Sequence, residues 1–117
     1  MSPIFDYHGS LARMGNDESL LREMASLIAE DGPYRLREAL AGLQERDAIR
    51  TSHAAHTLKG LAANFGAMRA VAAAAKLEDL SRRENWTEAQ TVGPNLQAAF
   101  QELLQELRPL ASVNESA

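Results

Sequence analysis

The sequence predicts an all-α fold: an antiparallel four-helix bundle preceded by one or two additional short N-terminal helices. Apolar residues recur every three or four positions through most of the 117 residues, which is typical of amphipathic helices. No segment shows the strict alternation of apolar and polar residues that indicates a strand. The connections between the periodic segments are short, as they are between antiparallel neighbours in a bundle.

The length of the chain favours a single domain over residues 1–117. Its ordered core is expected over about 10–110, with a flexible tail over 111–117. Residues 1–9 are expected to be irregular, and Leu11–Met14 to form a short turn of helix. Asn16 is suited to cap the first main helix, which is expected to run to about Glu30. The residues predicted to face inward from it are Leu20, Leu21, Met24, Leu27 and Ile28.

Asp31-Gly32-Pro33 is expected to end that helix and begin a second, since proline suits a first helical turn. The second helix runs to about Arg46. Asp47 then caps a third helix that ends near Phe65, and a fourth follows over Ala67–Arg83. The inward stripes are Leu36, Leu40 and Leu43 in the second helix and Val71, Ala74, Leu77 and Leu80 in the fourth.

The last helix begins with Thr87-Glu88-Ala89-Gln90, which has the form of a capping box. Gly93-Pro94 follows closely, so this helix is expected to kink there or to restart at Pro94. The core of the bundle is expected to hold the helices over 47–83 and this last helix. One of the two leading helices completes it and the other packs across it. The inward stripe of the last helix is Leu96, Phe100, Leu103, Leu104 and Leu107.

The segment 56–66, His-Thr-Leu-Lys-Gly-Leu-Ala-Ala-Asn-Phe-Gly, carries the strongest functional signal. At about 100° per residue, His56 lies opposite the apolar stripe of its helix and is therefore expected to face solvent. The apolar stripe is Ala54, Leu58, Leu61 and Phe65. Lys59 and His53 flank His56, and the small residues Ser52, Gly60, Ala63 and Ala67 lie close to it on the outer face.

These residue types suit a phosphoryl site. An exposed imidazole is largely uncharged near neutral pH and offers a lone pair for attack on phosphorus. Lys59 can reach the negative charge of a phosphoryl group from one turn away. Gly60 leaves room for a partner to approach the ring. Gly66 is interpreted as a structural residue that ends the helix in the left-handed conformation.

The segment resembles the motif of histidine phosphotransfer (HPt) domains, His-x-Leu-Lys-Gly with a second glycine six residues further on. The matching residues are His56, Leu58, Lys59, Gly60 and Gly66. The resemblance implies a helical bundle that works as a module of a multistep His-Asp phosphorelay. His56 would accept a phosphoryl group from one receiver-domain aspartate and pass it to another, and Lys59 would stabilise the phosphoryl charge. The expected docking surface is Ser52, His53, Gly60, Ala63, Asn64 and Ala67.

The resemblance also sets expectations about partners and cofactors. The partners would be response-regulator receiver domains, a hybrid histidine kinase, or both. The chain would be a phosphocarrier without kinase activity. It would bind no cofactor, and Mg²⁺ would come from the partner receiver domain. No Walker-type glycine-rich loop is present in the sequence.

Two other functions remain compatible with the sequence, and two further ones fit it poorly. A phosphotransfer domain fed by an ATP-dependent chemotaxis-type kinase shares the fold and a similar motif, and a non-catalytic helical adaptor is also compatible. The dimerisation domain of a sensor kinase fits poorly, because an acidic residue and a proline would be expected where Thr57 and Leu61 stand. A metal site at His53 and His56 would lack further inward-facing ligands. His8 is interpreted as a residue without a functional role.

Composition agrees with a protein-binding module. The chain has no cysteine, so neither disulfides nor thiolate metal sites are available, and a cytoplasmic location is expected. The net charge is -4 and the arginines are scattered, which argues against nucleic acid as a partner. No membrane span or signal peptide is apparent in the sequence. A monomer is expected.

Overall fold

The computed structural model describes residues 4–111, which form five α-helices and no strand. This confirms the predicted four-helix bundle, with one short helix before it. Ala111, assigned above to a tail, belongs to the last helix, and residues 112–117 of that tail lie outside the described range. The helices are α1 (Tyr7–Arg13), α2 (Glu18–Glu45), α3 (Ala48–Ala63), α4 (Met68–Arg82) and α5 (Trp86–Ala111).

The four long helices form a closed ring, in which α2 packs on α3, α3 on α4, α4 on α5 and α5 on α2. Neighbours are antiparallel. Arg50, near the start of α3, contacts Glu38 in the second half of α2 at 3.0 Å, and Gly93, in the first half of α5, packs on Leu43 near the end of α2. The large side chains buried inside the ring are Leu21, Ile28, Leu36, Leu43, Leu58, Phe65, Leu77, Leu80, Leu96, Phe100, Leu103 and Leu107.

The break predicted at Asp31-Gly32-Pro33 is wrong, because α2 continues through it for 28 residues. A proline inside a helix costs roughly 3 kcal/mol, since it removes a backbone hydrogen bond and crowds the preceding turn. Packing on α5 offsets that cost: each large apolar side chain buried there contributes about 1.5–3 kcal/mol. Gly32 lies so close to α5 that an added Cβ would stand 2.9 Å from the ring of Phe100. The two predicted leading helices are therefore one core helix.

Of the two outcomes predicted at Gly93-Pro94, a kink or a restart, the restart is wrong, because α5 is one helix of 26 residues. Gly93 is buried against α2, and an added Cβ would lie 2.7 Å from the side chain of Leu43. Its role is therefore to let two helices approach closely. The predicted capping box is not the start of α5 either: the side chain of Asn85 accepts a hydrogen bond from the N–H of Glu88 at 3.3 Å, so the helix begins earlier.

Aspartate caps the first three helices. Asp6, Asp17 and Asp47 each accept a hydrogen bond from the N–H three residues on, at 2.9–3.1 Å. The prediction of Asp47 is confirmed, and that of Asn16 is wrong, since Asn16 has the left-handed φ of 61° in the turn before the cap. The short N-terminal helix also starts earlier than predicted, so residues 7–9 are helical, and residues 1–3 lie outside the described range.

The inward stripe predicted for the start of α2 was too wide. Leu21 and Ile28 are buried, but Leu20 and Leu27 are exposed. The buried face of this helix is completed by small residues, including Ala25 and Gly32, and the two exposed leucines lie roughly 100° away from it around the helix. Among the described residues, no helix combines the length and the apolar character needed to cross a bilayer.

Candidate functional site

The site lies at the middle of α3, a helix that is held firmly at its start. Asp47 caps its first turn, and Thr51 is fully buried where Gly42 of α2 packs against it. Arg50 donates two hydrogen bonds of 3.0 Å to the carboxylate of Glu38 on α2. Two turns later His56 projects outward, with 63% of its side chain exposed. The outward orientation inferred from periodicity is therefore present in the structure.

The imidazole of His56 has a carboxylate partner that the sequence analysis missed. Its Nδ1 lies 3.0 Å from Oε2 of Glu78, which projects from the neighbouring helix α4. An ionised carboxylate only accepts hydrogen bonds, so Nδ1 carries the proton and donates it to Glu78. In the neutral ring the lone pair is then on Nε2. The exposed imidazole thus presents its lone pair on one defined nitrogen.

Glu78 also binds two cations. Its other oxygen, Oε1, lies 2.9 Å from Nζ of Lys59, and Oε2 lies 2.7 Å from a guanidinium nitrogen of Arg82. Only 6% of its side chain is exposed. Burial alone would raise the pKa of Glu78, but the hydrogen bond and charge of Lys59, the hydrogen bond of His56 and the charge of Arg82 outweigh it and hold that pKa below its usual value. The carboxylate is therefore ionised at neutral pH.

The lowered pKa of Glu78 predicts a stability effect at acid pH. A carboxyl whose pKa is lower in the folded state contributes stability above its usual value of 4.5 and loses that contribution as the pH falls through the folded-state pKa. The wild type should therefore lose stability relative to Glu78→Gln as the pH is lowered below 4.5. Urea unfolding of both proteins between about pH 3 and pH 7 measures this. A difference that is the same at every pH would contradict it.

The surface around His56 consists of small and exposed groups on α3. A Cβ added at Gly60 would meet no atom within 4 Å, and Ala63 and His53 are exposed. Ile49, earlier on the same helix, is 83% exposed. An approaching protein can therefore reach the ring without displacing a large side chain, and it meets an apolar residue at the edge of the surface.

Two residues predicted to belong to this surface are buried. Ala67 is only 1% exposed, because α3 ends at Ala63 and the extrapolated helical face does not continue into the next turn. Ser52 is also buried, and its hydroxyl donates to the backbone carbonyl of Ile49. Asn64 is half-buried at the end of α3. The accessible surface beside His56 is therefore His53, Gly60 and Ala63.

The turn after α3 is closed by glycine and by the N-terminal segment. Gly66 has the left-handed φ of 60°, as its interpretation as a helix-ending residue requires. Arg13 of α1 donates to the carbonyl of Asn64 at 3.2 Å, and the N–H of Asp6 donates to the carbonyl of Phe65 at 2.9 Å. The carbonyls of the turn that follows α3 are thus hydrogen-bonded by the segment that precedes α2.

Glu78 could have been found from the sequence. Helical periodicity places it on the same face of α4 as Val71, Ala74 and Ser81, which is the inward face. A charged residue on an apolar face must have a partner, because an unpaired buried charge is costly. The pattern does not say which helix supplies that partner. Within residues 4–111, no three His, Asp or Glu side chains are grouped so that they could hold a metal ion.

Comparison with known proteins identifies the family. The model of the Hpt domain matches residues 18–109, which is most of the chain and includes the whole site. The chain belongs to the Hpt domain family. Its structure is similar to the crystal structure of histidine-containing phosphotransfer protein B (HptB) from Pseudomonas aeruginosa PAO1. The TM-score is 0.84, with 23% identity over 96% of this chain and 97% of that chain, so the two share the fold. Comparison with curated proteins gave no match.

Membership of the Hpt family confirms the function expected from the motif at the level of the module. The protein is a histidine phosphotransfer module of a phosphorelay. Hpt domains are phosphocarriers that interact with the receiver domains and kinases of two-component systems. What the structure adds is the local arrangement in which an exposed histidine on α3 is joined through one buried carboxylate to two cations.

Proposed function

We propose that His56 is the phosphoacceptor, taking a phosphoryl group from the aspartate of one receiver domain and passing it to the aspartate of another. The observation that carries this proposal is the hydrogen bond of 3.0 Å between Nδ1 of His56 and Glu78, in a ring that is mostly exposed. It leaves Nε2 with a lone pair, directed away from the carboxylate and toward the side from which a partner can approach.

No proton has to leave the imidazole ring during the transfer. The lone pair of Nε2 forms a bond to phosphorus while the bond from phosphorus to the aspartyl oxygen breaks, and the aspartate departs as a carboxylate. The ring keeps its proton on Nδ1 and gains positive charge, which the carboxylate of Glu78 stabilises. The reverse reaction returns the phosphoryl group to a second aspartate by the same path.

Charge and access support the same assignment. Lys59 lies one turn from His56 and places its ammonium beside the carboxylate that holds the ring, so its positive charge favours the arrival of a phosphoryl group. His53, Gly60 and Ala63 form the accessible part of the docking surface, and the half-buried Asn64 borders it. Ser52 and Ala67 take no direct part in docking, because both are buried.

The remaining parts of the proposal concern what the partner supplies. The chain acts as a carrier without kinase activity of its own, and it binds no cofactor. The receiver domain brings its aspartate and Mg²⁺, since phosphoryl transfer chiefly requires in-line positioning and neutralisation of charge. We propose that the module works in the cytoplasm as a monomer.

A labelling experiment tests this function. The purified chain is incubated in turn with each receiver domain of its source organism, phosphorylated on aspartate with radioactive phosphate. The expected product is an acid-labile, base-stable phosphohistidine, which mass spectrometry of peptides should place on His56. ATP without a receiver should give no label. Label on another residue, or labelling by ATP alone, would contradict the proposal.

A further inference from the structure

Arg82 lies beside the phosphoacceptor although it is far from it in the sequence. It is the last residue of α4, and its guanidinium lies 2.7 Å from Oε2 of Glu78. The same oxygen lies 3.0 Å from Nδ1 of His56. The guanidinium of Arg82 and Nδ1 of His56 thus share one carboxylate oxygen as their partner, which keeps the two groups close together. A helix other than the motif helix thus places a second cation next to the ring.

Arg82 can leave Glu78 for another partner more easily than Lys59 can. The side chain of Arg82 is 63% exposed, whereas that of Lys59 is 35% exposed. Water competes for the guanidinium of Arg82, because most of that side chain is exposed even though Glu78 is buried. If Arg82 leaves, Glu78 keeps Lys59 on one oxygen and the Nδ1–H of His56 on the other, so the buried carboxylate remains paired. Arg82 is therefore the more readily released of the two cations.

A phosphoryl group on His56 would offer Arg82 a better partner than the carboxylate. It carries up to two negative charges and three acceptor oxygens, and the planar guanidinium can donate to two of these oxygens at once. An ammonium group cannot match that geometry, because it acts as a point charge. Arg82 has to leave Oε2 of Glu78 and extend along the ring toward Nε2, and its long side chain, which is mostly exposed, is free to make that movement.

We propose that Arg82 is a second phosphoryl-binding cation of this site, held on Glu78 beside His56 until a phosphoryl group arrives. This inference rests on the proposed role of His56 as the phosphoacceptor. It assigns the contact with phosphoryl oxygens to α4 as well as to α3. Lys59 keeps the carboxylate paired and contributes its charge, while Arg82 contributes the direct hydrogen bonds.

The test compares Arg82→Ala with a closely matched control, Arg83→Ala. Arg83 is the adjacent residue, is equally exposed at 63%, and forms an ion pair of the same spacing with Asp79 at 2.9 Å. Phosphoramidate serves as the donor, so that no partner has to dock: its P–N bond breaks, the Nε2–P bond forms and ammonia leaves. Arg82→Ala should slow phosphorylation of His56 by roughly five- to tenfold, whereas Arg83→Ala should change it less than about twofold.

Two further measurements separate contact from general charge. Arg82→Lys keeps the charge and should recover part of the lost rate. The ³¹P resonance of phosphohistidine should shift in Arg82→Ala and stay in place in Arg83→Ala. Equal rates in the two alanine variants, or an unmoved ³¹P resonance in Arg82→Ala, would overturn this inference and leave His56 as the acceptor. Failure of every phosphorylated receiver domain to label the wild type on His56 would instead overturn the proposed function.

Discussion

Replacing His56 by glutamine is expected to abolish phosphotransfer completely. The amide of glutamine has no nucleophilic lone pair comparable to that of imidazole Nε2, so no bond to phosphorus can form. The effect on folding should be small, because the side chain at this position is 63% exposed and the amide that replaces the ring can still donate to Glu78. Labelling from a phosphorylated receiver domain and thermal melting measure the two effects separately.

His53→Gln is the matched control for this prediction. His53 is also exposed and lies one turn earlier on α3, so both variants replace an exposed histidine of the same helix by glutamine. With phosphoramidate as the donor, which does not dock, labelling of His53→Gln should stay within about threefold of the wild type, since the proposed role of this residue is in docking alone. Label that persists in His56→Gln would place the acceptor elsewhere and would remove the basis of the proposed mechanism.

The sequence predicted the site helix better than the helices on either side of it. Asp47 and Gly66 are local signals that act through the backbone, one as a side-chain cap and the other through its left-handed conformation. Such signals do not depend on the rest of the fold. The limits of α3 and the outward direction of His56 could therefore be inferred from a few neighbouring residues.

The break predicted at Pro33 and the restart predicted at Pro94 are both wrong for one shared reason. Each proline follows a glycine, and both glycines are buried where α2 and α5 touch. Sequence alone presents Gly-Pro as a helix-breaking pair, because the local preference is visible and the packing partner is not. The tertiary contact between two long helices outweighs a local cost of roughly 3 kcal/mol, and that contact joins residues far apart in the chain.

At the functional site, too, the sequence did not reveal which residues of different helices meet. The motif supplied His56 and Lys59 from one helix, but Glu78 and Arg82 come from α4 and are brought to the ring only by packing. No acidic residue lies close to His56 along the chain, yet the carboxylate of Glu78 lies 3.0 Å from its ring in the structure. A charged residue on the inward face of α4 requires a partner, and the structure shows that Glu78 has three: His56 and Lys59 of α3 and Arg82 of its own helix.

Replacing Glu78 by leucine is expected to slow phosphotransfer by roughly 10- to 100-fold, the effect seen when the partner that orients a metal-binding histidine is removed. Without the carboxylate, nothing holds the proton on Nδ1, so a smaller fraction of the rings presents a lone pair on Nε2. The positive charge that the ring gains during transfer also loses its counter-ion. Folding should change much less, because a buried apolar side chain replaces a buried carboxylate and Lys59 and Arg82 can turn to water.

Two variants distinguish this orienting role from a general loss of negative charge. Asp79→Asn removes a carboxylate from the next residue, which is exposed and pairs with Arg83, and should leave the transfer rate within about twofold of the wild type. Glu78→Gln retains an oxygen that can accept from Nδ1–H and should recover part of the rate. ¹⁵N NMR of the ring should show the proton mainly on Nδ1 in the wild type and a shift toward Nε2 in Glu78→Leu. An unchanged ring spectrum together with a wild-type transfer rate in Glu78→Leu would show that the carboxylate does not orient the acceptor, and the choice of Nε2 as the nucleophile would lose its structural basis.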